Sequence, residues 1–189
     1  MRDNGYTPLF FSFWLTPQME LAGKTMGIIG LGRIGMATAK LAEAFGMDVL
    51  AYTRTEKKGI RCVPLDTLLE RADVISLHCP LLPETNQLIC RETIGKMKDG
   101  AILLNTSRGG LVNESDLAEA LKSGKLRGAA VDVVAQEPMA HDNPLLTAPN
   151  CIITPHMAWA PVESRQRLMD CVEGNLRAFL NGYVENCVN

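Results

Sequence analysis

The chain lacks a basic excess: 19 lysines and arginines stand against 21 acids, a formal net charge of −2 over 189 residues. Nucleic-acid binding, which draws on clustered positive charge, is therefore not expected. No apolar run approaches the roughly 18 residues of a membrane-crossing helix, so no membrane partner is expected either. No two of the six cysteines (Cys62, Cys79, Cys90, Cys151, Cys171 and Cys187) lie within four residues, which excludes a CxxC metal or redox pair. No signal-peptide pattern opens the chain, since Arg2 and Asp3 lead into a mixed segment without a small-residue cleavage site. The expectation is a cytoplasmic protein with free, mostly buried thiols and no bound metal. Aromatic residues are scarce at 5%, yet Phe10, Phe11, Phe13 and Trp14 fall together ahead of the first expected strand. They read as an arm, packed either on this domain's own core or over a partner subunit or another domain.

What the chain does have is an ordinary globular composition, with 47% hydrophobic and 21% charged residues. Disorder is excluded on that ground, and the length suits one domain. Short apolar runs alternate with helical patterns. Strands are expected at 24–30, 48–52, 73–77, 101–105, 126–133 and 151–154. Between them lie helices over 33–45, 65–71, about 92–97 and from 113 to about 122, and Pro161 opens a long one to about Leu180. In the first helix Ile34, Ala37, Leu41 and Ala44 share one face, which the spacing assigns to the core. Continuous runs such as AILL and CII suit strands buried on both faces. The fold class is α/β, a Rossmann-like doubly wound parallel sheet with a C-terminal helix. It divides into an N-terminal arm (1–23), a dinucleotide-binding domain (24–160) and a C-terminal helix and tail (161–189).

Gly30-Leu31-Gly32-Arg33-Ile34-Gly35 is GxGxxG, placed after a strand and opening a helix. Gly30 permits the tight turn, Gly32 lets a pyrophosphate approach the backbone, and Gly35 lets helix and strand pack closely. The helix start favours the phosphates. Where the second strand ends, an acid should bind the ribose hydroxyls. Thr53 stands there instead, followed by Arg54, with Lys57 and Lys58 nearby. Thr with Arg suits a 2′-phosphate; a solvated basic loop without cofactor preference is the alternative.

At the carboxyl ends of later strands stand Arg108 in Asn105–Gly110, Asp132 and then Glu137-Pro138, and Thr154-Pro155-His156. Ligands bind at that edge of such sheets. An Arg there can take a carboxylate bidentately, and a Glu beside a His makes an acid–base pair for a substrate hydroxyl. His78 and His141 read as structural, with no ligand spacing around them.

The sequence at this point resembles the D-isomer-specific 2-hydroxyacid dehydrogenases. The likeness is carried by ELAGKTMGIIGLGRIG (20–35), ADVISLHCPLLPET (72–85), ILLNTSRGGLVNESDLAEALKSGKLRGAAVDV (102–133), Glu137-Pro138 and CIITPHMAWAP (151–161). Ala158-Trp159-Ala160 and the aromatic segment before the first strand are most similar to the family's glycerate dehydrogenase (hydroxypyruvate reductase) branch. The resemblance implies Arg108, Glu137 and His156 as the catalytic trio. It implies nucleotide contacts at Arg33, Ile34, Cys79, Pro80, Thr85, Thr106, Asp132 and His156. It implies NAD(P) as cofactor, the departure at Thr53-Arg54 pointing toward NADP, a small 2-oxo or 2-hydroxy acid as substrate, and a homodimer. Family members carry a substrate domain largely ahead of this segment; it is expected to be absent here, leaving the isolated chain inactive. A non-catalytic dinucleotide sensor or corepressor-like module stays open as the second reading.

Overall fold

The structure, a computed structural model, describes residues 18–188, so Phe10, Phe11, Phe13 and Trp14 lie outside the described residues. Seven strands form one all-parallel sheet in the order β3-β2-β1-β4-β5-β6-β7. They are β1 (Thr25–Ile29), β2 (Asp48–Tyr52), β3 (Arg61–Cys62), β4 (Val74–Leu77), β5 (Ala101–Asn105), β6 (Leu126–Val131) and β7 (Cys151–Ile153). The helices are α1 (Arg33–Ala44), α2 (Leu65–Arg71), α3 (Arg91–Lys96), α4 (Glu114–Lys122) and α5 (Val162–Leu180). All strands run the same way, but the order in which they are added reverses between β1 and β4, and that switch point opens a crevice at the carboxyl ends of the strands.

Local chemistry sets the element ends. The Asn113 side chain accepts the Asp116 N–H at 3.1 Å and caps α4, whose first turn carries Glu114 and Asp116 against the helix dipole. Gly124 and Gly182, both with positive φ, stop α4 and α5. Every residue of β4 is buried, as a strand covered on both faces requires. The main core, on one face of the sheet, joins Leu68, Leu69, Ile75, Leu77, Leu103 and Leu117 beneath α2, α3 and α4.

Three expectations are corrected here. The six strands are seven, because the two-residue β3 pairs with β2 through Leu50 and Ala51 and is too short to leave a periodic signal. The apolar face read in α1 is the outer one: Ile34 is 71% and Leu41 63% exposed, and Ala37 and Ala44 are exposed too. The helix instead turns Gly35, Ala39 and Ala42 to the sheet, because only small side chains let it sit close to β1 and β2. The thiols are not mostly buried: Cys79 is, Cys62, Cys90 and Cys151 are half-buried, and Cys171 and Cys187 are exposed.

The winding is also uneven. On the α1 side the helix covers β1 and β2, whereas Ile102 and Leu104 are half-buried and Ile152 is exposed. No residue of α5 is buried. Among the described residues no helix is long and apolar enough to cross a membrane.

Candidate active site

Two depressions lie along the carboxyl edge of the sheet. The first, of about 450 Å³, sits at the switch point between the ends of β1, β2 and β4. Gly30, Gly32, Thr53, Arg54, Cys79, Pro80 and Thr85, all singled out from the sequence, line it, with Lys57 beside them. Gly30 has φ +96°, and a Cβ there would stand 2.5 Å from the Cys79 nitrogen, so the turn is closed to any larger residue. A Cβ on Gly35 would fall 2.1 Å from the Gly30 carbonyl oxygen, which is the close helix–strand packing expected of it. Around Gly32 a Cβ would meet nothing within 4 Å, leaving open space at the start of α1. The N-cap Gly32 supplies no side-chain cap, so the first N–H groups of this 12-residue helix face that space. An anionic pyrophosphate fits such a place.

The cleft walls differ in character. Ile29, Leu31, Leu82 and Leu88 make it partly apolar, while Arg54 and Lys57 make one side basic. The Thr53 hydroxyl donates to the Thr55 carbonyl at 3.3 Å. Cys79 belongs to the packed floor, and burial pushes its thiol up, keeping it neutral. His78 is half-buried; its Nε2 lies 2.9 Å from the Ser76 hydroxyl, and burial pushes the ring down toward its neutral form. The sequence reading of His78 as structural is kept, with a side chain as its partner. The Thr85 hydroxyl is engaged within its own turn, donating to the Pro80 carbonyl at 2.8 Å and accepting the Leu82 N–H at 2.8 Å. Arg33, Ile34 and Thr106 are exposed and do not line this cleft.

The second depression, of about 620 Å³, is lined by Asp132, Val134, Glu137, Pro138, Met139 and the segment Ile153–His156. Here His156 Nδ1 and Glu137 Oε2 are 2.7 Å apart. A carboxylate can only accept, so Nδ1 carries the proton and Nε2 is left for another partner. The hydrogen bond from His156 holds the Glu137 carboxyl below the usual glutamate range, with the Val134 N–H, 3.2 Å from Oε1, assisting. Glu137 is thus an anion that orients the ring.

Asp132, only 5% exposed, anchors the segment that carries His156. Its carboxylate accepts the Thr154 hydroxyl, the Met157 N–H at 2.9 Å and the Ala158 N–H at 2.8 Å. Burial alone would raise this carboxyl; these three hydrogen bonds, with the His156 charge, outweigh it and hold it below the usual aspartate range.

Arg108 is exposed on the loop after β5, its Nη1 donating to the Ser107 carbonyl at 2.7 Å. Among the described residues no hydrogen bond or ion pair joins it to Glu137 or His156. Its loop is held by Asn105, whose amide donates to the Arg108 carbonyl at 2.9 Å and accepts the Ser107 N–H at 3.0 Å. A Cβ on Gly109 would overlap Val134, so the Arg108 loop lies directly on the strand end leading to Glu137. Glu114, in the first turn of α4, accepts the Ala135 N–H at 2.7 Å and the Asn143 amide at 2.9 Å, clamping the loop that bears Glu137. Asn105 and Glu114 were not singled out for the site. The partners of Glu114 lie 21 and 29 residues away across loops, so no local spacing marks it, whereas those of Asn105 are two and three residues on in the loop that it opens. No group of three or more potential metal ligands exists among the described residues.

A parallel sheet with a glycine-lined crevice at its switch point, and a Glu–His pair further along the same edge, is the architecture of a dinucleotide-binding domain. The chain belongs to the D-isomer specific 2-hydroxyacid dehydrogenase family, whose NAD binding domain matches residues 13–158. It is 57% identical over 182 residues to a hydroxypyruvate reductase of Blautia hydrogenotrophica, covering 94% of this chain and 56% of that protein. It is 48% identical over 180 residues to a glycerate dehydrogenase of Methylorubrum extorquens, covering 94% and 57%. A solved D-lactate dehydrogenase with NAD+ from Lactobacillus jensenii superposes with a TM-score of 0.86 at 33% identity, covering 92% of this chain and 57% of that one. The chain thus spans little more than half the length of the relatives it matches.

Proposed function

We propose that this chain is the cofactor-binding half of a dehydrogenase acting on a small 2-oxo acid of the hydroxypyruvate type. The observation that carries this is the Glu137–His156 pair at 2.7 Å, with Nε2 left for the substrate. A nicotinamide dinucleotide bound in the first cleft supplies the hydride that reduces the C2 carbonyl. His156, as imidazolium, gives its Nε2 proton to the carbonyl oxygen and becomes neutral; in the oxidative direction it takes that proton back. Glu137 holds the ring through Nδ1 and offsets its charge. Arg108 binds and orients the substrate's carboxylate or carbonyl. Gly32 and the start of α1 would hold the pyrophosphate of such a cofactor, and Asp132, which lines the second depression with the pair, would lie on the side of its nicotinamide. Hydroxypyruvate-dependent oxidation of NADH or NADPH by the protein carrying its full substrate site tests the reading. Loss of that activity in His156→Ala, with cofactor binding kept, is the expected result. Unchanged turnover overturns it.

The cofactor is proposed to include NADP(H), bound at least as well as NAD(H). Support comes from the wall made by Thr53, Arg54 and Lys57, where the residue after the second strand is a threonine in place of an acid; the carboxylate that lines the cleft, Glu84, comes from the turn after Leu82. A charge-assisted Arg–phosphate contact is worth about 1.5–3 kcal/mol, roughly 10–150-fold in affinity. Calorimetric titration of the chain and of Arg54→Ala checks this. The substitution is expected to lower the NADP affinity by that factor and leave NAD nearly unchanged; an unaltered ratio overturns the assignment.

The assembly is proposed to be a homodimer, in keeping with the large apolar side chains that α1 and α5 leave exposed. Sedimentation of the chain against one beginning at Glu20 reads whether the aromatic arm anchors it.

A further inference from the structure

The backbone at His156 is unusual. Its φ is +50°, a left-handed conformation that a residue with a side chain adopts only where the surroundings hold it. Hydrogen bonds on both sides hold it. The His156 N–H donates to the Asp132 carbonyl at 2.7 Å. The next two N–H groups, of Met157 and Ala158, are taken by the Asp132 carboxylate. On the remaining side, the Trp159 indole N–H donates to the His156 carbonyl at 2.8 Å.

Trp159 is 58% exposed, so apolar burial does not account for where its indole lies. A ring of this size left in solvent is costly, and the hydrogen bond is the specific contact it makes. The bond ties the carbonyl end of the peptide leaving His156, while Asp132 ties its Met157 N–H end and the peptides on either side. Together they fix the direction in which Cα–Cβ of His156 points, and so whether Nδ1 meets Glu137.

We propose that Trp159 is a positioning residue for His156, its indole N–H locking the left-handed backbone that aims the imidazole at Glu137. This rests on the reading of His156 as the proton donor and concerns how that donor is kept aimed. Trp159 does not touch the reacting atoms; it acts through the His156 peptide. Removing the indole N–H leaves the peptide after His156 held at its Met157 N–H end alone, and with that looser hold the ring samples more orientations in which the Nδ1–Glu137 bond is broken.

The chain has three histidines and two tryptophans, so ring and indole resonances can be assigned one by one. The experiment is nuclear magnetic resonance of the full chain labelled with nitrogen-15. In the unaltered protein His156 is expected to show a protonated, hydrogen-bonded Nδ1 with a low-field proton. Trp159→Phe keeps an aromatic ring and loses the donor. It is expected to abolish the low-field proton and shift the His156 ring nitrogens, leaving those of His78 and His141 in place. Met157→Ala, an equally exposed neighbour whose side chain makes no such bond, should leave all three rings unchanged. His156 signals that stay put in Trp159→Phe overturn the proposal, as does an equal response in Met157→Ala.

A reciprocal measurement covers the case in which Trp159→Phe does not fold. Glu137→Gln leaves the indole untouched, yet is expected to move the Trp159 indole N–H resonance, because coupling runs both ways. An indole signal identical to the native one overturns the proposal. NADH binding, followed by fluorescence on the same samples, separates this idea from the dehydrogenase reading. Failure to bind sinks that reading, whatever the ring signals show. Retained binding with unmoved ring signals sinks only the role of Trp159.

Discussion

Asp132 concentrates several duties in one carboxylate. Its two oxygens take one hydroxyl and two N–H groups, so the loop beyond β7 is built around it. Replacing it with Asn keeps the shape but turns an amide donor toward at least one N–H. Leaving a buried donor unmatched costs about 1–3 kcal/mol, and hydrogen bonds to a charge are worth more than neutral ones. Asp132→Asn is therefore expected to lower stability by about 2–3 kcal/mol. The pH dependence has a definite sign. The folded-state carboxyl lies below its ordinary value, so its contribution is fully present above that value of 3.8 and is lost as pH falls through the depressed one. The native chain should lose stability steeply below about pH 4, and the Asn variant should show a flatter acid limb. Urea unfolding between pH 3 and pH 7 reads both; parallel curves would show that Asp132 is not the linked group. At this scale the sequence is legible where a side chain's role follows from its neighbours in the chain. Glu137 and His156 lie on the loops that follow consecutive strands, β6 and β7, which made their meeting foreseeable. Glu114 was not legible, because its partners Ala135 and Asn143 are brought to it only by the packing of α4 against the loop after β6.

Elements were read more securely than the faces they bury. Six strands and five helices follow from apolar runs, Pro at 64 and 161 and Gly at 124 and 182, because those signals act within a few residues. The orientation of α1 does not, since the helix has two apolar faces and hydrophobic periodicity selects the larger residues. The sheet selects the smaller ones, because Gly35 on α1 lies close against the Gly30 carbonyl and the Ile28 side chain of β1. A pair of substitutions tests that phase. Ala39 is fully buried, so Ala39→Leu forces methylenes into a packed interface and is expected to cost about 1–3 kcal/mol. Leu41 is exposed, so Leu41→Ser should change the stability of the chain by no more than about 0.5 kcal/mol. Denaturation midpoints compared at low protein concentration decide it. A larger loss for Leu41→Ser would return α1 to the orientation its periodicity suggested.

For the whole molecule, the two depressions differ in how complete they are. The cofactor cleft is closed by contacts within the chain, Gly30 against Cys79 and the Ser107 hydroxyl on the Cys79 carbonyl at 2.7 Å, so it stands without help. The acid–base pair is not enclosed: the side chains of His156 and Glu137 are 46% and 38% exposed, and Arg108 points from an open loop. Water screens such charges and competes for the groups that would hold a substrate. Fixing a substrate in a reactive geometry accounts for about 7–11 kcal/mol of a typical barrier reduction, and one open wall supplies little of it. We therefore expect the 189-residue chain to bind NADH or NADPH with the enhanced fluorescence of a sheltered nicotinamide. We expect it to oxidise the bound cofactor with hydroxypyruvate at least about 1,000-fold more slowly than a relative of full length, a loss of about 4 kcal/mol. Both halves of that expectation are measured on one sample, titration by fluorescence and turnover by absorbance. A rate within tenfold of the relative would mean that this single wall suffices to position the substrate, and that the exposure of His156 and Glu137 does not limit the chemistry.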